Sequence, residues 1–243
     1  MLEGLYSAAA GMSAQQEQLN AISNDLANLS TSGYKSERVA FSDLLYNPVS
    51  MAGTVSTDGA GASAKVIGRS QAQGALQETG DPLDLAIEGE GYFEVTRANG
   101  QKALTRNGTF GVDASGTIVN AEGNRLSPPI KLPAGVSASE VSIGPTGTVS
   151  AGTRTLGQIK LVTVTSPEHL LADGGGEFTA TAASGAPHPA TGLIRQGALE
   201  ASNVNMGSEM ALMVSTQRAY QMNSTAIQDE SQMMSIANQL RAT

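Results

Sequence analysis

Both ends of the chain carry apolar residues at seven-residue intervals, and this pattern constrains the fold more than any other feature. Over about residues 2–29, two columns share one face: Leu5, Met12, Leu19 and Leu26, and beside them Ala8, Gln15, Ile22 and Leu29. Two columns offset by three residues are typical of helices that pack side by side. We therefore predict a long amphipathic helix at this end.

The C-terminal end, over about residues 205–240, repeats the pattern with larger side chains. One column is Met206, Met213, Tyr220, Ile227 and Met234, and the other is Leu212, Ala219, Ala226, Met233 and Leu240. We predict a second helix that packs against the first, because each helix alone would leave its apolar stripe uncovered. The second stripe is wider than one partner needs, so we expect its excess to face neighbouring copies of the chain.

Between the two ends the composition changes to that of an arm followed by β-structure. The segment from Asn47 to about Gly80 is rich in Gly, Ser, Ala and Thr, which indicates a linker or an extended arm. Beyond it, Asn99-Gly100 and Asn107-Gly108 are two-residue hairpin signals, and frequent turn signals predict antiparallel sheets.

The predicted fold class is therefore α+β, with the N- and C-terminal helices packed as a coiled-coil layer and a central antiparallel β-rich domain. The predicted boundaries are residues 1–33 for the first helix, 34–80 for the arm, 81–200 for the β-rich domain and 201–243 for the second helix.

Composition excludes several classes of partner. The chain of 243 residues has a formal net charge of -8 and no long basic run, which argues against a nucleic-acid surface. It has no cysteine, which excludes disulfides and thiolate metal sites. No apolar stretch reaches the about 18 residues that a membrane span needs, so we expect no membrane insertion. The N-terminal segment has Glu3 and no basic region, so we expect export without a Sec signal if the protein leaves the cytoplasm.

The search for catalytic chemistry finds little. His169 and His188 both lie next to prolines in loop-like sequence, and Asp81 and Asp84 flank a Pro-Leu turn before a strand. No phosphate-binding glycine loop and no nucleophile elbow occurs. We therefore expect no enzyme, with no catalytic residue, no cofactor and no metal site. The alternative is a secreted β-domain that binds a ligand or hydrolyses a polymer, with helical ends that only oligomerise it.

Five stretches carry motifs of a known family: Asp25–Lys35 (DLANLSTSGYK), Ala86–Phe93 (AIEGEGYF), Leu104–Phe110 (LTRNGTF), Ala201–Asn205 and Gln217–Ser224. They resemble signatures of the bacterial flagellar rod and hook (axial) family. The first is similar to the signature that ends the family's first helix, the second and third to its central strands, and the last two to its C-terminal signature. The matching signature residues are Asn28, Gly33, Tyr34, Lys35, Asn203, Asn205, Gln217, Arg218, Tyr220 and Asn223.

The resemblance implies a structural subunit of the basal-body rod that forms a helical homo-oligomer and transmits torque from motor to hook. It implies contacts with other rod and hook proteins, with surrounding ring proteins and with the flagellar export apparatus, and an extracytoplasmic location in the basal body. Phe41–Tyr46 (FSDLLY) is similar to the distal rod type, which favours the distal over the proximal rod, although the proximal rod stays open. The predicted assembly interface comprises Leu5, Met12, Leu19, Ile22, Leu26 and Leu29 of the first helix and Leu212, Met213, Tyr220, Ile227, Met233, Met234 and Leu240 of the second.

Overall fold

A computed structural model of the chain describes residues 2–44, 47–51, 54–59 and 61–241. The chain forms two compact units. The helical unit consists of Met1–Ala27, Glu37–Ile67 and Asn205–Thr243, and the β unit consists of Asn28–Ser36 and Gly68–Val204. The observed elements confirm the α+β class, because a long helix lies at each end and antiparallel strands fill the middle.

The helical unit contains the two long helices, α1 (Leu2–Ala27) and α2 (Met206–Arg241), which contact each other. The first helix ends two residues before the predicted Leu29, and the chain then turns. In that turn Gly33 has a φ of 70°, which glycine adopts without strain. The second helix begins after Asn205, whose side-chain Oδ1 accepts a hydrogen bond from the backbone N–H of Ser208 at 3.0 Å. Asn205 is thus the N-cap of α2.

The first four strands lie within residues 34–80, the segment predicted as an arm. They are β1 (Glu37–Asp43), β2 (Asn47–Met51), β3 (Thr54–Asp58) and β4 (Ala62–Arg69). Strands β2 and β3 form an antiparallel hairpin, and β1 pairs with β4. That this segment acts as an arm stays a prediction.

The remaining strands belong to the β unit. They are β5 (Leu76–Glu78), β6 (Leu85–Glu88), β7 (Tyr92–Thr96), β8 (Lys102–Thr105), β9 (Phe110–Val112), β10 (Ile118–Asn120), β11 (Arg125–Leu126), β12 (Val141–Ile143), β13 (Thr148–Ala151), β14 (Arg154–Gln158), β15 (Leu161–Thr163), β16 (Leu171–Gly174), β17 (Glu177–Thr179), β18 (His188–Pro189), β19 (Leu193–Gln196) and β20 (Ala198–Glu200). Nine of them form one sheet, in which β7 pairs with β8, β11 and β15. Strands β12, β13 and β14 form a three-stranded sheet, while β6 pairs with β19 and β5 with β20.

Strand β7 is central to the packing of the β unit, because successive side chains of a strand point to opposite faces. Phe93 and Val95 join a large buried cluster and are fully buried, and Phe93 packs edge-to-face on Phe110 with ring centroids 5.2 Å apart. Tyr92 points to a second, smaller buried cluster and packs on Phe178. The β unit therefore has apolar side chains buried on both faces of this strand.

One predicted hairpin is confirmed and the other is wrong. Asn99-Gly100 lies in the turn between β7 and β8, which pair. Asn107-Gly108 does not join a hairpin, because β8 pairs with β7 and β17, whereas β9 pairs with β10. Gly108 is needed there for another reason: a Cβ at this position would collide with the carbonyl oxygen of Leu85. The glycine therefore marks a close approach of two backbones.

Candidate assembly surface and buried ion cluster

One face of α2 is directed towards α1. Its buried or half-buried side chains recur at alternating steps of four and three residues, which is the spacing of a single helix face. They are Glu209, Met213, Thr216, Tyr220, Asn223, Ile227, Glu230 and Met234. The column Met213–Tyr220–Ile227–Met234 of the predicted interface thus shares its face with a polar column.

The two helices approach closely where α1 has glycines. A Cβ at Gly4 would lie 2.7 Å from Oε2 of Glu230, and a Cβ at Gly11 would lie 2.9 Å from Nδ2 of Asn223. Seven residues forward along α1 correspond to seven residues backward along α2, so the helices run antiparallel. Ala14 and Ala21 of α1 are also buried.

Two carboxylates are close together at one end of this helix pair. Asp25 is buried and its carboxylate accepts a hydrogen bond from the backbone N–H of Glu37 at 3.0 Å. The pKa of Glu209 is raised from its ordinary value, first because burial disfavours the charged form and second because the negative charge of Asp25 repels it. The α1–α2 contact is therefore partly polar.

The predicted interface residues fall into three classes of exposure. Ile22 is buried, whereas Leu5, Met12, Leu19, Leu26, Leu29, Met213, Tyr220, Ile227 and Met234 are half-buried. Leu212, Met233 and Leu240 are exposed by 42%, 55% and 74%, in line with the expected excess on the second stripe. Whether a neighbouring copy covers them stays a prediction.

A buried ion cluster occupies the β unit. The Nζ of Lys35 donates a hydrogen bond of 2.7 Å to Oε1 of Glu200, and Nη1 of Arg106 donates one of 3.0 Å to Oε2 of the same carboxylate. All three side chains are buried. Lys35 also donates to the carbonyl of Ala72 at 2.8 Å, and the backbone N–H of Gly74 donates to Oε1 of Glu200 at 2.9 Å.

The electrostatics of this cluster centre on Glu200. Its single negative charge faces two cations. The pKa of Lys35 is lowered, chiefly because burial disfavours the charged form and also because Arg106 is near, while the hydrogen bond and charge of Glu200 act in the opposite direction. A buried charge that loses its partner costs several kcal/mol. Glu200 therefore holds together three chain segments that are distant in sequence.

Several of the family signature residues lie around this cluster and make contacts that hold it in place. Gly33 donates from its backbone N–H to the carbonyl of Glu200 at 2.7 Å, and a Cβ there would press on the backbone of Arg106. The guanidinium of Arg69 lies 5.2 Å from the ring centroid of Tyr34.

Asn203 belongs to the same surroundings. Its Oδ1 accepts from the backbone N–H of Ser36 at 2.8 Å, and its Nδ2 donates to the carbonyl of Ala72 at 2.9 Å. The Asn203 side chain thus bonds within the β unit, whereas Asn205 caps α2. Glu200 was not predicted as a site residue, because its only signal in the sequence is an acidic residue within an otherwise apolar strand.

The remaining signature residues lie elsewhere. Asn28 accepts a hydrogen bond from the hydroxyl of Thr31 at 3.1 Å. Gln217 and Arg218 are exposed on α2.

A cleft of about 640 Å³ lies beside the ion cluster, lined in part by Gln71, Gln73, Tyr92, Arg106 and His188. Several of its polar groups are engaged with the chain itself: Tyr92 donates to Gln71 at 2.7 Å, and Gln73 donates to the carbonyl of Ile87 at 2.8 Å. Burial raises the pKa of the Tyr92 phenol, so the group stays protonated at neutral pH.

Among the residues that the structure describes, no group of three or more His, Asp or Glu side chains is placed to hold a metal ion. His169 and His188 are exposed, but neither lies in a loop: His169 ends a short 3-10 helix and His188 begins strand β18. No described helix is both long enough and apolar enough to cross a membrane.

Comparison with known proteins gives one consistent family. Three family models match: a flagella basal body rod protein model over residues 5–35, a flagellar hook protein FlgE/F/G D1 domain model over residues 86–151, and a flagellar basal body rod FlgEFG C-terminal model over residues 195–240. The first and last matches contain the two terminal signatures, and the central one covers strands β7 to β13.

Full-length relatives agree with these models. The chain is 36% identical to the flagellar basal-body rod protein FlgG of Borreliella burgdorferi over 263 aligned residues, which span 99% of each chain. It is also 36% identical to the FlgG protein of Caulobacter vibrioides, over 99% of this chain and 100% of the relative. By contrast, the hook protein FlgE of Treponema pallidum matches over 52% of this chain and 29% of its own length.

Proposed function

The chain belongs to the flagellar basal-body rod protein family, and from that premise we propose how it works: as a non-enzymatic rod subunit whose terminal helices interlock with those of neighbouring copies in a coiled-coil layer. The observation that carries the mechanism is the exposed apolar surface of α2. The exposed members of the predicted interface, Leu212, Met233 and Leu240, are large enough that water contact is costly.

The difference in apolar exposure between the two units supports a mechanical role. The β unit buries most of its large apolar side chains, with Leu171 and Leu193 among the exceptions, while α2 leaves a larger number uncovered. Copies that cover one another's helices would form a continuous tube, and torque would pass along it from motor to hook through many such contacts. Such a tube requires head-to-tail contacts, since these do not close on themselves.

The distal part of the rod is favoured. The support is the alignment with FlgG proteins along nearly the whole chain, together with the resemblance of Phe41–Tyr46 to the distal rod type. Other rod proteins and the hook are the expected axial partners. The ring proteins and the export apparatus are further expected partners, and the expected location is extracytoplasmic.

The alternative of a secreted β-domain that binds a ligand or hydrolyses a polymer has no support. The full-length relatives are rod proteins, and Tyr92, Gln71 and Gln73 of the cleft beside the ion cluster bond within the chain.

A substitution on the exposed column of α2 tests the proposal. Leu212→Asp places a charge where we expect a neighbouring copy to pack, and an unpaired carboxylate in an apolar contact costs several kcal/mol. We expect purified subunits that stay folded yet fail to polymerise, and cells without a complete rod that do not swim. The readouts are sedimentation, circular dichroism and motility.

Leu171→Asp is the matched control, because Leu171 is a leucine of similar exposure on β16, outside the helices. It should polymerise as the unmodified chain does. Normal polymerisation and motility of Leu212→Asp would contradict the proposed role of α2.

A further inference from the structure

The sulfur atoms of the chain are concentrated in α2. The chain has nine methionines and no cysteine, so every sulfur atom that an oxidant can reach is a thioether. Six of the nine methionines lie in α2, which has 36 of the 243 residues. Peroxides convert an accessible methionine to its sulfoxide, and no thiol competes for the oxidant. The second helix is therefore the part of the chain that oxidation would change at the most positions.

The structure divides these six methionines by their exposure. Met213 and Met234 lie half-buried on the face directed towards α1. The other four are exposed, Met206 by 52%, Met210 by 56%, Met222 by 67% and Met233 by 55%. An oxidant in solution can therefore reach these four sulfur atoms without any movement of the helices.

The four exposed methionines lie on two sides of α2. Leu240, an exposed member of the predicted assembly interface, follows Met222 by 18 residues and Met233 by 7, which is about five and about two turns, so all three share one side. Met206 and Met210 precede Leu240 by 34 and 30 residues, which directs them about 160° and about 120° away from it. Only Met222 and Met233 thus lie on the side where the proposed function places a neighbouring copy.

We propose that Met222 and Met233 form a methionine oxidation site of the unassembled chain, and that their conversion to sulfoxides by a peroxide prevents a neighbouring copy from packing on this side of α2. The inference rests on the proposed function, since it assumes that a neighbouring copy covers this side. In the reaction the O–O bond of hydrogen peroxide breaks and a sulfur–oxygen bond forms. The sulfur is oxidised by two electrons, and the remaining oxygen leaves as water.

The two states of the side chain differ in polarity. The thioether adapts to irregular apolar contacts, whereas the sulfoxide carries a polar oxygen that needs a hydrogen-bond donor. In the monomer water supplies that donor, but covering the oxygen in an apolar contact without a donor is unfavourable. Oxidation should therefore spare the folded monomer and impair assembly, and assembly should in turn shield both methionines from the oxidant.

Controlled oxidation of the purified full chain tests the site. The monomer is treated with hydrogen peroxide, the peroxide is removed, and peptide mass spectrometry locates the sulfoxides. We expect sulfoxides at Met222 and Met233, an unchanged circular dichroism spectrum and a critical concentration for polymerisation raised by at least about tenfold. Methionine sulfoxide reductase restores the thioether, so it should return the critical concentration to within about threefold of the untreated chain.

Two double variants locate the effect. Met222→Leu with Met233→Leu keeps apolar side chains and removes both sulfur atoms, so peroxide should change its critical concentration by less than about threefold. Met206→Leu with Met210→Leu is the matched control, because it removes two methionines of similar exposure from another side of α2. This control should stay as sensitive to peroxide as the unmodified chain. Each variant is compared with its own untreated sample, and loss of assembly on oxidation of the first variant would overturn the site.

Assembled particles give an independent measurement. Met222 and Met233 should be oxidised at least about tenfold more slowly in the particles than in the monomer, and equal rates would overturn the inference. If the oxidised chain polymerises as the unmodified chain does, the inference is wrong while the rod subunit role stands. If the unmodified chain does not polymerise at all under conditions in which rods form, the proposed function itself fails.

Discussion

The β unit and the helical unit differ in how far they bury their apolar side chains. In the β unit, Phe93, Val95 and Leu126 are fully buried within the chain's own core. In the helical unit, Met222 and Met233 are exposed by 67% and 55% although α1 covers another face of α2. The difference indicates that the β unit is complete as a single copy and that the helical unit needs further copies.

The same contrast appears in the polar residues. The β unit buries charges and pairs them internally, as Glu200 does with Lys35 and Arg106. The helical unit places small and polar residues such as Gly11 and Asn223 between its helices, beside the apolar column Met213–Tyr220–Ile227–Met234, and exposes further apolar residues on the other side of α2. A structural subunit can therefore carry a stable body and an assembly surface in one chain.

The largest expected effect concerns the ion cluster. Glu200→Gln keeps the shape of the side chain but leaves Lys35 and Arg106 without a counter-charge, so we expect the β unit to lose about 3–5 kcal/mol of unfolding free energy. Urea denaturation followed by hydrogen exchange in the β-unit core measures this loss. Glu78→Gln is the control: its carboxylate pairs with Arg195 at 2.7 Å but is 77% exposed, so the cost should stay below about 1 kcal/mol. Equal effects of the two substitutions would show that Glu200 does not anchor this unit.

A medium effect is expected where α1 and α2 approach. Gly11→Leu would push against Asn223, and such overpacking costs about 1–3 kcal/mol. We expect assembled particles of this variant to dissociate at lower urea concentration. Gly11→Ala should be tolerated because the end of the Asn223 side chain can move. Ala9→Leu adds the same bulk at an exposed position of α1 and should not lower the urea resistance. Gly11→Leu particles as resistant to urea as unmodified ones would argue against the close helix pair.

The smallest expected effect is a pH dependence of the helix pair. The pKa of Glu209 is raised above its ordinary value of 4.5, so the folded pair binds a proton more readily than the unfolded chain. The contribution of Glu209 to the free energy of unfolding is therefore fully present below its pKa in the unfolded chain. It is lost as pH rises through its pKa in the folded helix pair. Urea resistance of assembled particles should increase as pH falls from neutral. Glu209→Gln should reduce this increase, and the difference in unfolding free energy should stay below about 1 kcal/mol. An unchanged slope in Glu209→Gln would mean that the interaction with Asp25 is immaterial.

The terminal helices and the fold class were predictable because their signals are local. Seven-residue spacing and a capping residue, Asn205, define α2 within one turn of its observed start. Excess apolar surface on α2 was also predictable, since two apolar columns exceed what one partner helix covers.

The pairing of the strands and the ion cluster were not predictable from local signals. Asn107-Gly108 has the sequence of a hairpin turn, yet its glycine serves a close approach to Leu85 from a distant segment. Likewise, Glu200 and Lys35 are 165 residues apart, and nothing near either residue in the sequence indicates the other. Contacts of this kind depend on the whole topology.

Hydrogen exchange on dilute monomer and on assembled particles tests the central claim most directly. Isolated amphipathic helices are marginal in water, and only one face of α2 has a partner within the chain. We predict slow exchange at Phe93 and Val95 in both states, fast exchange along Met206–Arg241 in the monomer, and strong protection of that helix after assembly. Equal, strong protection of Met206–Arg241 in a true monomer would contradict the claim that the helical unit is completed by other copies.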